Sequence, residues 1–80
     1  MDTIFVAYNG ITEQFIPCKF AETARNIVFE WAKAKLMSEL PSNEGINEEE
    51  LYEEANEIVI QAEEAPWLCP FSITEMVVQE

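Results

Sequence analysis

The chain has 80 residues and a mass of 9.2 kDa, which allows one domain; two would leave about 40 residues each, near the size at which disulfides or a metal become necessary. Hydrophobic residues make up 49% of it, which excludes wholesale disorder. Sixteen acidic residues against four basic ones and no histidine give a formal charge of −12, and a phosphate backbone repels such a chain.

Several function classes fall at this stage. No apolar run approaches the ~18 residues of a membrane span. The first ten residues, MDTIFVAYNG, lack the basic segment and long apolar core of a signal peptide. Cys18 and Cys69 lie far apart in sequence and form no Cys-x-x-Cys pair. They read as reduced, buried thiols of a cytosolic protein, with a bridge left open if their strands are neighbours. Without histidine there is no Ser-His-Asp or Cys-His arrangement and no imidazole metal ligand. Gly10 and Gly45 are the only glycines, so there is no phosphate-cradling loop. The oxygen-rich segment Asn43 to Glu50 does not fit a calcium loop, because Gly45 at the turn position makes Leu40 the first ligand. The expectation is a non-enzymatic protein without metal or cofactor.

Residues Thr3 to Tyr8 are β-branched and aromatic and predict a strand, and Asn9-Gly10 after them predicts a two-residue hairpin turn. That turn opposes Tyr8 to Ile11, Val6 to Glu13 and Ile4 to Phe15, and directs this face at the core. The return strand runs to about Phe20. Its apolar parity changes at Pro17, which predicts a bulge or an edge position.

A helix is expected from about Ala24 to Glu39, capped by Thr23. One seam holds Ala24, Ile27, Val28 and Trp31. A second holds Phe29, Ala32, Leu36 and Leu40, which implies burial against both a sheet and another helix. Pro41 to Gly45 reads as a loop. A second helix is expected from Glu48 to Ala65, with Asn47 as N-cap, Glu50 closing a capping box and Pro66 as the stop. Its apolar stripe is Leu51, Ala55, Ile58, Ala62 and Ala65. Residues from Phe71 onward carry both a capping-box signature (Ser72 to Glu75) and β-branched residues (Ile73, Thr74, Val77, Val78). The strand is preferred, because a lone hairpin is marginal and the helices need a sheet to cover. The expected fold is α+β, a single ββααβ domain. Its sheet is three-stranded and mainly antiparallel, in the order 2-1-3, with both helices on one face.

The charge is unevenly placed. Up to Lys35 four acids balance four bases; from Leu36 to Glu80 there are twelve glutamates and no base. On the second helix Glu50, Glu53, Glu54, Glu57 and Glu64 share a sector about 100° wide, opposite the apolar stripe. Five charges over about 21 Å is one per about 4 Å, against about 3.4 Å along one DNA strand. A solvated face kept for solubility accounts for many such runs. Such faces, however, usually alternate Glu with Lys, whereas these like charges repel at i,i+3 and i,i+4. With Glu49 added, the glutamates predict a partner-binding surface for a positively charged groove.

In its size, its Glu-rich stretch EEELYEEANE and its lack of enzymatic motifs, the chain resembles the small acidic inhibitor proteins of bacteriophages and mobile elements. These include anti-CRISPR proteins and other nucleic-acid mimics. The segment FIPCKFAETARNIVFEWA also looks like the strand–turn–helix of some phage inhibitors of bacterial RNA polymerase. The resemblance implies a cytoplasmic protein of the bacterial host cell. Its partner is then a basic nucleic-acid-binding protein or ribonucleoprotein complex, with no direct contact to nucleic acid or membrane. The alternatives are an antitoxin-like neutraliser and an interaction module or homodimer. The last would work through apolar surface (Phe29, Trp31, Met37, Trp67, Phe71) or through the edge strand from Ile11 to Phe20.

Overall fold

The first strand, β1 (Asp2–Asn9), is the centre of the sheet. It pairs antiparallel with β2 (Gln14–Cys18) on one side and β3 (Phe71–Val78) on the other, giving the order 2-1-3. Between β2 and β3 come α1 (Ala21–Glu39), α2 (Glu48–Glu64) and a single 3-10 turn (Pro66–Leu68). The computed structural model describes residues 2–39 and 47–78. Leu40 of the expected second seam and the expected loop Pro41 to Gly45 lie outside the described residues. So does the first half, residues 43–46, of the oxygen-rich segment that begins at Asn43.

The hairpin differs from the expected one. Tyr8 pairs with Phe15 and Asn9 with Gln14, so residues 10–13 form the connection, and Tyr8 does not oppose Ile11. The cause is the Asn9 side chain. It is buried, and its Oδ1 accepts hydrogen bonds from the backbone N–H of Ile11 (2.9 Å) and Thr12 (3.3 Å). This Asx-type closure takes over the turn. The left-handed position falls to Glu13 (φ 55°), while Gly10 keeps a negative φ. Gly10 serves close approach: its N–H donates to the Pro70 carbonyl at 2.7 Å, and a Cβ there would meet that oxygen at 2.8 Å. The hairpin is thereby tied to the entry of β3.

The facing of the sheet is corrected as well. Phe5, Ala7 and Asn9 point to the helices, together with Ile16 and Cys18 of β2 and Phe71 and Ile73 of β3. Ile4, Val6 and Tyr8, expected in the core, alternate to the opposite side. The ladder from Phe5↔Cys18 to Asn9↔Gln14 is unbroken, so Pro17 sits without a bulge on an edge strand, where its missing N–H costs no ladder bond. Phe20, expected at the end of β2, is exposed just before α1.

The first helix starts at Ala21, three residues before the expected start, so Thr23 lies inside its first turn and does not cap it. Its buried residues are Ala24, Val28 and Ala32, with Ile27, Phe29, Trp31 and Leu36 partly buried beside them. The second helix buries Leu51, Ala55, Val59 and Ala62, while Ile58 is half-buried. Alanines at 7, 24, 32, 55 and 62 allow both helices and the sheet to approach closely. Phe29 and Tyr52 meet edge to face across the helix pair at 5.0 Å, and Trp31 stacks on Phe71 at 6.0 Å. Both cysteines are free: Cys18 Sγ donates to the Ile16 carbonyl and Cys69 Sγ to the Phe71 carbonyl.

Asn47 caps α2 as its sequence indicates. Its Oδ1 accepts from the N–H groups of Glu49 (3.0 Å) and Glu50 (3.3 Å). The helix stops before Pro66, and the Ala65 N–H closes on the Gln61 carbonyl. Replacing Asn47→Ala orphans two donors and should cost about 1 kcal/mol. A lower urea midpoint, restored in Asn47→Asp, is the expected reading, and an unchanged midpoint would deny the cap its role.

Candidate functional site

Eight of the seventeen residues of α2 are glutamate. Glu48, Glu49 and Glu50 fill the first turn, where the exposed N–H groups and the positive end of the helix favour carboxylates. The apolar seam turns toward the sheet and α1, so the opposite face is left to water. By helical spacing Glu50, Glu53, Glu57 and Glu64 lie on that outward face, Glu49 and Glu54 lie at its two flanks, and all six are exposed. From Glu49 to Glu64 the helix rises about 22 Å, so the carboxylates follow one another at about 4 Å per charge.

Three of the four cations are engaged elsewhere. Arg25 of α1 forms an ion pair with Glu63, and this contact, with nearby Glu22, raises the guanidinium pKa above its ordinary value. Lys35 pairs with Glu39 on its own helix, and Lys33 lies over the Phe29 ring at 5.5 Å. The neutralised carboxylates, Glu63 and Glu39, are therefore not among the six. Among the described residues, no ion pair reaches the outward face of α2.

Two features of this region escape the charge pattern. Ile60 is 55% exposed and falls by helical spacing beside Glu53, Glu57 and Glu64, an apolar contact within an acidic surface. Its place in the β-branched run Ile58-Val59-Ile60 hid it. Trp67 and Leu68, in the turn after α2, are both exposed, and Trp67 at 78% is the most open aromatic side chain. Phe71, grouped with Trp67 in the sequence, is instead buried, while Phe29 and Trp31 are half-buried and Met37 is exposed.

Indentations near the helices are open grooves, one of them lined by Arg25, Asn26, Phe29, Tyr52 and Asn56 between α1 and α2. Among the described residues, no group of three or more Cys, Asp or Glu side chains is placed to hold a metal ion. No described helix is long and apolar enough to cross a membrane. Compared with known proteins, the chain matches no protein-family model, no curated protein and no solved structure.

Proposed function

We propose that the protein is a small non-enzymatic inhibitor that lays the acidic face of α2 into a positively charged nucleic-acid-binding groove of a host protein. The target class is a nuclease, polymerase or ribonucleoprotein complex such as a CRISPR effector, and occupancy of the groove blocks the path of the polynucleotide. One observation carries the reading: six exposed carboxylates on one helix, at a spacing close to that of a phosphate strand, with every described ion pair made elsewhere. A helix fixes this spacing as a nucleic-acid backbone does. Like charges at i,i+3 and i,i+4 each cost a few tenths of a kcal/mol, a cost that a basic partner reverses. The field of such a ridge also steers the encounter.

Capture from a bacterial lysate tests this. At about 50 mM salt the immobilised protein should retain nucleic-acid-binding proteins. Retention should fall at least about tenfold by 300 mM, as exposed charges become screened. Excess duplex DNA or RNA should elute the same proteins. Capture that is indifferent both to salt and to polynucleotide would remove the reading.

A further inference from the structure

The sheet has two apolar faces and only one is covered. Opposite the helices lie Ile4, Val6 and Tyr8 of β1, Phe15 and Pro17 of β2 and Met76 of β3, in register as Ile4↔Met76, Val6↔Pro17 and Tyr8↔Phe15. Phe15 is 66% exposed and stacks on Tyr8 with ring centroids 4.5 Å apart; Met76 is 50% exposed. Thr74 continues the face opposite Val6, and none of these seven positions carries a charge. Small monomers rarely leave so continuous an apolar surface open to water.

We propose that this open sheet face is the interface of a homodimer, in which two copies pack sheet on sheet. The inference is independent of the function proposed for α2. Three observations select a second copy as the occupant.

The first is the core. Among the described residues, half of the ten buried apolar ones are alanine, and the only large side chains fully out of water are Phe71 and Val28. Ile4, Val6, Tyr8, Phe15 and Met76 lie on the uncovered side and add nothing to that core. An 80-residue domain has little stability in reserve, and a second layer made by the same residues from a partner copy supplies what the alanine-lined layer lacks.

The second is charge. A chain at −12 repels its own copies, so a self-interface needs a neutral surface far from the glutamates. The open face is that surface. The α2 ridge points away from the far side of the sheet, and Glu75 lies on the helix side, opposite Phe5. The one acidic position in register with the open face, Asp2 opposite Val78, is at its corner. With sheets ~10 Å apart and a helix layer outside each, the two ridges stand roughly 40 Å apart, several times the ~8 Å screening length at physiological salt.

The third is exposure. Phe15 and Met76 are at least half exposed, and Pro17 and Thr74 are exposed around the half-buried Ile4, Val6 and Tyr8, so a second sheet finds side chains to cover along the whole face. Aligned sheet packing at about −30° brings such faces together without unpairing any backbone group.

Light scattering on the eluting full-length protein tests the dimer. At 150 mM salt and about 50 μM the wild-type mass should be twice 9.2 kDa, falling toward the single-chain mass on dilution. Phe15→Lys with Met76→Lys should raise the monomer–dimer midpoint at least about a hundredfold with an unchanged far-UV spectrum, because neither side chain belongs to the helix-side core. The milder Val6→Thr, which keeps shape and strand propensity, should raise it about tenfold and serves as the test if the double variant loses its spectrum. Charge reversals on α2 should leave the midpoint within about threefold of wild type or lower it. A wild-type monomer at 50 μM would overturn the proposal, including one that instead docks a different protein on this face. A dimer indifferent to Val6→Thr and to the double variant would overturn it as well.

Discussion

Reversing three charges on α2, in the combined variant Glu53→Lys, Glu54→Lys and Glu57→Lys, should abolish partner capture without unfolding the protein. The net charge moves from −12 to −6, because each of three reversals adds two units. The six outward carboxylates become three of each sign, so the ridge loses its net charge. A groove that prefers a polyanion then meets lysines at the centre of the face, where like charges are closest and most desolvated. The expected loss of affinity is on the order of a hundredfold or more at low salt.

Stability should move the other way. All three positions are exposed, and Lys and Glu have similar helix propensity. The lysine introduced at position 53 gains an opposite charge four residues back in Glu49, and the one at position 54 gains Glu50. The lysines at positions 53 and 57 repel each other as the original glutamates did. The melting temperature should therefore hold or rise slightly while binding is lost, an outcome that separates a binding surface from a folding requirement. The neutral variant with Gln at the same three positions should fall between. Equal capture by wild type and the lysine variant would leave the acidic face as a solubility device.

The order of elements was legible because local chemistry announces it. Asn47 before three glutamates and Pro66 after Ala65 bracket α2 at both ends. The β-branched residues of the C-terminal stretch prevail over its capping-box signature because β1 offers a free edge to pair with from Asp2 to Asn9. The six outward glutamates follow from helical periodicity once the helix is granted, since only the angle between seam and charge is needed. Arg25–Glu63 was not legible: it joins residues 38 positions apart and depends on how α1 lies against α2.

The register of the hairpin was hidden for the same reason. Asn-Gly carries a strong turn preference, but that preference competes with an Asn9 side chain buried under the helices and with a Gly10 held against Pro70. Neither contact is local. The facing of the strands failed for a different reason. Both alternating sets of β1 are apolar enough to enter a core, and the bulkier set, Ile4, Val6 and Tyr8, is the natural choice. The helices instead take the side with Ala7, because their own contact residues are alanines and a close approach needs a small partner. A sheet apolar on both faces, with helices enough for one, was the available signal that a surface remained to be covered.

That arrangement places unusual weight on one side chain. Phe71 is 1% exposed at the start of β3, opposite Asn9, with its ring stacked on Trp31. Around it the buried residues are mostly alanine, valine and cysteine. Short side chains cannot swing into the space that Phe71→Ala would leave, so the cavity stays open and the loss takes both the transfer and the cavity contributions, about 3–5 kcal/mol. A domain of this length has about 4–12 kcal/mol in all. The urea midpoint should then fall by about a quarter or more, and at the lower end of that range the variant is partly or wholly unfolded at 25 °C. Phe71→Leu, which refills most of the volume, should recover more than half of the loss. Unfolding must be followed at one fixed protein concentration, because self-association adds to apparent stability by mass action. A loss below about 1 kcal/mol would show that the Trp31–Phe71 stack is not the centre of the core, and that the alanine-lined layer holds the helices to the sheet without it.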